Sequence, residues 1–122
     1  MSGKPLEWLR PDEKAAYFGT WPKAVRDKFN DLLRPVMQGY KPIGVNTCKS
    51  WRGIPGCHEL SSGAYRLIFV WTLPNFIYVL YAFSGKDSSR GGKTRPKHAA
   101  IVDQRWAELQ NRLNIAAGKK RH

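Results

Sequence analysis

Two apolar runs dominate the middle of the chain, Ala64 to Trp71 and Phe76 to Phe83. β-Branched and aromatic residues fill both, and breakers bound them: Ser61, Ser62 and Gly63 before the first, Pro74 and Asn75 between the two. Both predict strands. A half-wet sheet would alternate apolar and polar residues, whereas these runs are nearly continuous. They therefore predict central strands covered on both faces, which requires flanking helices. A shorter extended piece, Gly56 to Leu60, precedes them.

Three- and four-residue steps take over on either side. Val25, Phe29, Leu32, Leu33 and Val36 follow Pro22, which sits where a first-turn proline is tolerated, and predict an amphipathic helix. Pro35 falls in its last turn, and Gly39 with Pro42 closes the segment. Upstream, Asp12 to Tyr17 reads as a helical turn capped by Asp12, and Lys4 to Leu9 as an edge strand or anchoring segment. Ile43 to Pro55 has no period and reads as a loop carrying Lys49 and Arg52. Near the end, Val102, Trp106, Leu109 and Leu113 form a helical stripe, with Arg105, Glu108 and Arg112 off it. With no alternating βαβ units, this order predicts an α+β fold whose helices pack on a small antiparallel sheet.

The 122 residues suffice for one domain, and the five Trp argue for a packed core rather than a disordered chain. We expect a single domain over residues 1–116 and a basic, fraying tail over 117–122. The longest apolar stretch, Phe76 to Phe83, is far short of the ~20 residues that cross a bilayer. The opening Met-Ser-Gly-Lys-Pro has no apolar h-region. The expectation is a cytoplasmic protein without a membrane partner. Cys48 and Cys57 do not make a disulfide framework and are expected to be free thiols.

Charge adds the first functional clue. Lys and Arg number 21 against nine Asp and Glu, a formal net charge of +12. A domain this basic meets phosphates, an anionic surface or an acidic partner. Ser84 to Lys97 concentrates the excess, with Lys86, Arg90, Lys93, Arg95 and Lys97 opposed by Asp87 alone. Glycine and serine intersperse them, so the stretch reads as a loop whose amides and side chains approach an anion together.

Individual residues sharpen the picture. Arg66, in a strand of Tyr, Leu, Ile, Phe and Val, has two readings: a buried pair with Glu59 on the neighbouring strand, or a guanidinium fork aimed at a phosphate. Lys86 stands just past the second long strand, in an anchoring or a solvated position, and Arg52 lies in a Trp-Arg-Gly loop. His98 opens the last helix and has two readings: a surface residue or, since the N-terminus disfavours an added proton, a base near neutral pH. Tyr65, Tyr78 and Tyr81 are core residues or, facing the basic loop, stacking surfaces for single-stranded nucleic acid. No Walker loop, dinucleotide fingerprint or nucleophile elbow occurs. Cys48, Cys57 and His58 lack metal-ligand spacing, and no carboxylate pair suggests hydrolysis, so neither metal nor cofactor is expected.

The order of motifs resembles the phage-derived toxin-like family within the RelE/HigB/ParE superfamily of toxin–antitoxin toxins. The matching pieces are Lys4 to Leu9, Trp21 to Arg26, Gly39 to Pro42, Trp51 to Gly53, Glu59-Leu60 and Tyr65-Arg66. Val79 to Phe83, Lys86, Arg90 to Thr94, Pro96-Lys97 and the helix through Arg105 complete the series. The resemblance implies a RelE-like α+β domain, with N-terminal helices and a C-terminal helix packed on a small twisted antiparallel sheet. It also implies ribosome-dependent cleavage of messenger RNA, neutralised by an antitoxin that is often a helix-turn-helix protein; relatives of the ParE kind poison gyrase instead. In the RNA-cleaving members, cations activate the ribose 2′-OH and stabilise the phosphorane, while an aromatic or His side chain stacks on or orients the base. Carried over, those roles fall on Arg66, Arg52 and Lys86.

The expected function is thus a metal-independent mRNA endonuclease of toxin type. Lys86 or His98 removes the 2′-OH proton and Arg66 with Arg52 steadies the developing charge. Arg90, Lys93, Arg95 and Lys97 hold the RNA backbone, beside Tyr65 and Tyr81. The chain departs from the family at three places. Ser84-Gly85-Lys86 follows Phe83 where two lysines are usual, Tyr81 stands for a His, and Ser61 stands for an Arg. These departures favour the alternative, a phage-encoded inhibitor on the same fold that binds a host protein without catalysis.

Overall fold

The computed structural model describes residues 3–16, 18–40, 48–84, 89–90, 93–94 and 96–117. In chain order the elements are β1 (Leu6–Trp8), α1 (Pro11–Ala16), a 3-10 turn (Phe18–Thr20) and α2 (Lys23–Met37). There follow β2 (Cys48–Ser50), β3 (Cys57–Ser62), β4 (Tyr65–Val70), β5 (Ile77–Phe83), β6 (Ser89–Arg90), β7 (Lys93–Thr94) and α3 (Pro96–Ala117). Among the described residues, no helix is long and apolar enough to cross a membrane.

Proline and glycine end α2 as the sequence suggests. Pro35 lies in its final turn, Gly39 takes φ 102°, and the Gly39 and Tyr40 amides donate back to the Val36 and Pro35 carbonyls at 3.0 Å each. That pair of bonds satisfies carbonyls the helix leaves open. Gly63, at φ 61°, begins the two-residue turn between β3 and β4. Because that turn is so short, β3 runs on through Ser62, past the serines expected to form the turn.

The main sheet has the order β1-β5-β4-β3-β2. Strands β2 to β5 pair antiparallel, but β1 lies parallel to β5, so the sheet is mixed rather than antiparallel as expected. A parallel neighbour needs a long crossover, supplied here by everything from α1 to β4. Three strands appear where loops were expected. β2 is only Cys-Lys-Ser, too short for a hydrophobic period, and β6 pairs with β7 inside the basic segment.

Helices cover both faces, as the unbroken apolar runs require. On one, Phe29, Leu33 and Val36 of α2 join Trp8, Leu60, Leu67, Phe69, Ile77 and Val79. On the other, Val102 and Leu109 of α3 join Leu9, Ile68, Val70 and Leu80. Most of the central strands is therefore buried, the main source of stability for a domain of this size.

One irregularity positions everything that follows. Ile68 opposes Tyr81, but Phe69 opposes Val79, so β5 carries an extra residue at Leu80. The insertion resets the alternation: Tyr78 and Leu80 face α3, and so do Tyr81 and Phe83, while Ala82 turns to the α2 side.

Two measurements test this packing. Gly56, at φ 71°, accepts the Trp71 amide at 3.0 Å, and a Cβ there would run into the Thr72 side chain. Gly56→Ala should therefore lower unfolding free energy by about 2 kcal/mol in urea titration. His58 stacks on Phe69, and burial pushes its pKa below the ordinary 6.5, the Gly56 backbone opposing this only in part. The unfolded chain then takes up the proton first, so stability is present above pH 6.5 and is lost as pH falls through it. The urea midpoint should drop between about pH 7.5 and pH 5.5, and His58→Leu should flatten that drop.

Candidate functional site

The extra residue in β5 leaves Leu80 without a cross-strand register partner, and its carbonyl accepts from α3 instead: Arg105 Nη1 donates to it at 3.1 Å. The same guanidinium makes a two-pronged contact with Glu13 of α1. Nη1 donates to Oε1 and Nη2 to Oε2, both at 2.6 Å. Its Cζ also lies 4.7 Å from the centre of the Tyr81 ring. Both members of the ion pair are only 12% exposed. Although Arg105 lies off the apolar stripe of its helix, it turns inward because a carbonyl, a carboxylate and a ring face await it there.

Tyr81 in turn holds His98. Its hydroxyl lies 3.0 Å from His98 Nδ1, in the first turn of α3. The imidazole stacks on Phe83 at 4.1 Å with an interplanar angle of 18°, and Tyr81 stacks on Phe83 at 4.7 Å. A hydrogen bond and a ring face together fix both the position and the plane of the imidazole. Tyr81 is thus a holder of His98 rather than an open stacking platform. Tyr65 lies on the opposite face of the sheet, 4.9 Å from Trp21 in the α2-side cluster, so the two tyrosines do not share a surface.

Arg66 stands on the His98 side. Register pairs it with Phe83 on β5 and Ser61 on β3, and directly opposed residues share a face. One step along, Lys49, Glu59, Ile68 and Tyr81 form a row across four strands. Of the two readings of Arg66, the internal pair forms: Nε lies 3.5 Å from Glu59 Oε2, with the side chains 13% and 14% exposed. Nη1 also donates to the Tyr65 carbonyl at 3.0 Å and to the Gly63 carbonyl. The guanidinium is therefore oriented by its own turn and by a neighbouring carboxylate.

The other expected cations are spread out. Arg52 is exposed on the turn before β3, whereas Arg66 pairs near the far end of that strand, roughly 13 Å along it. Arg52 and Arg66 are thus not brought together at the strand level. Lys97 is exposed beside His98, and Arg90 and Lys93 are register partners in the β6–β7 ladder. Lys86, Arg95 and the tail from residue 118 onward lie outside the described residues. Cys48 and Cys57 are free and buried on opposite sides of the sheet, and burial pushes both thiols up, away from nucleophilic chemistry.

Three contributors lie outside the catalytic and binding residues that the sequence singles out. Glu59 carries a signal, since it precedes Leu60 in a strand and was already the obvious mate for Arg66. Glu13 and Arg105 carry none, being 92 positions apart. What results is a patch on one sheet face holding an oriented imidazole, a carboxylate and a guanidinium.

The Arg66–Glu59 contact is testable by a double-mutant cycle. Arg66→Ala and Glu59→Ala should each destabilise the protein, and the double variant should lose less than their sum, by about 1 kcal/mol. Additive losses in thermal or urea melts would mean the pair does not interact. The chain matches no protein-family model, no curated protein and no solved structure, so the chemistry of this face is read from its own side chains.

Proposed function

We propose that this face is the active site of a toxin-type endoribonuclease that cleaves messenger RNA on the ribosome in the cytoplasm and is restrained by a cognate antitoxin. The observation that carries the reading is the His98 imidazole, held by Tyr81 and Phe83 on the same sheet face as the Arg66–Glu59 pair.

The chemistry is in-line transesterification. With a proton on Nδ1 donated to the Tyr81 oxygen, His98 Nε2 presents a lone pair and removes the ribose 2′-OH proton. The 2′ oxygen bonds to phosphorus, and the bond from phosphorus to the 5′ oxygen breaks. The leaving oxygen takes a proton from the imidazolium, returning His98 to its neutral form. Arg66, oriented by Glu59, balances the negative charge that grows on the phosphoryl oxygens. The step as written needs no metal ion. Lys49 across from Glu59 and Lys97 beside His98 extend positive charge outward, and the net charge of +12 favours any phosphate backbone. Arg52, Lys86, Arg90, Lys93 and Arg95 serve in this reading as non-specific backbone contacts.

A second reading has its own support. Arg66 is already engaged by Glu59 and two backbone carbonyls, which suits a scaffold residue better than a phosphate ligand. In that case the fold inhibits a host protein by contact.

Expression of wild type, His98→Ala and Arg66→Ala in bacteria, with mapping of message ends, separates the two. The nuclease reading expects new ends inside coding regions, reduced about a hundredfold or more by His98→Ala. Growth arrest that leaves messages intact would eliminate the nuclease and favour inhibition by contact.

A further inference from the structure

Resting on the reading of His98 as the base, we propose that Glu13 and Arg105 are positioning residues for it, setting through Tyr81 both which imidazole nitrogen carries the proton and the pH at which the ring gains a second one.

The geometry runs unbroken from α1 to the imidazole. Glu13 grips Arg105 with two 2.6 Å bonds, Arg105 lies over the Tyr81 ring, and the Tyr81 hydroxyl sits 3.0 Å from Nδ1. Arg105 also takes the Leu80 carbonyl, so it fixes the bulge that aims Tyr81 in the first place. Removing any link moves the oxygen that selects the tautomer.

Charge acts alongside geometry. A bare guanidinium over the ring would draw electron density from the phenol, weaken its oxygen as an acceptor and disfavour an imidazolium nearby. Glu13 counters that field. Hence the pair keeps Tyr81 able to accept the Nδ1 proton, while the remaining positive field holds the imidazole neutral, as a base must be before reaction. The other charged or titratable groups facing this region, among the described residues, are Arg66 from β4, Glu59 from β3, Lys49 from β2 and Lys97 from α3 itself. The Arg66–Glu59 pair is internally balanced. Glu13 and Arg105 carry opposite charges and reach His98 through Tyr81, so their neutralisation moves it in opposite directions.

Nitrogen-15 NMR of the full chain reads this directly, since ring shifts report both the tautomer and the titration midpoint of each histidine. Wild type should carry the His98 proton on Nδ1. Glu13→Gln should lower the His98 midpoint and Arg105→Gln should raise it, each by about 0.5 pH or more. Where Arg105→Gln does not fold, Glu13→Gln against wild type still decides the sign. A proton on Nε2 in wild type, or variants that leave the midpoint in place or move it the other way, would overturn the proposal. RNA cleavage is scored separately. Opposite midpoint shifts in a protein that leaves RNA intact uphold the positioning role and remove the nuclease, whereas cleavage with an immobile midpoint removes the positioning role alone.

Discussion

A strand with one residue too many interrupts its hydrogen-bond ladder, and a buried carbonyl left without a donor is costly, about 1–3 kcal/mol. In β5 that carbonyl belongs to Leu80, and the Arg105 guanidinium supplies the donor. Its remaining charge is matched by Glu13 with near-ideal two-pronged geometry, which a buried ion must have if it is not to destabilise the fold. Three elements distant in sequence are fastened at one point. α1, whose side chains other than Glu13 are exposed, is held against α3 in part by this contact.

The same irregularity determines where the polar chemistry faces. Without the extra residue, strict alternation would send Tyr81 and Phe83 toward α2, where Trp21, Phe29 and Tyr65 already fill the space. With it, both rings turn toward α3 and pack against His98. Arg66 and Glu59 lie on that side through ordinary alternation in β4 and β3. A structural repair and a candidate reaction centre thus share one set of residues, consistent with bulges being retained where a side chain must be re-aimed.

Much of the architecture is legible in the sequence, because it follows from local periods and breakers. The apolar runs at Tyr65–Val70 and Ile77–Phe83 announce buried central strands, and the stripes through Phe29 and Val102 announce the helices that cover them. Pro35 and Gly39 mark where α2 stops. What escapes is non-local. No pattern in Leu6–Trp8 reveals that it pairs parallel to a strand some 70 positions later, and β2 is too brief to show any period. At the site, Arg66 and Glu59 were readable as a possible pair because each is an ion in an otherwise apolar context. The inward turn of Arg105 was not, since it depends on a register shift that no residue type declares. Composition suggests a field of cations, whereas folding draws Arg66 and Arg105 into internal bonds.

The arrangement of the sheet carries one more consequence. Its central strands are long, apolar and rich in β-branched residues, the type of segment that joins other chains when its hydrogen-bonding rim is open. Here each rim is closed by a three-residue strand, Leu6–Trp8 on one side and Cys48–Ser50 on the other, with Lys49 at the middle of the second. Such brief borders offer an incoming strand little to grip, and like charge on every copy adds repulsion. The two shortest strands of the sheet thus work against edge-to-edge pairing of its apolar centre.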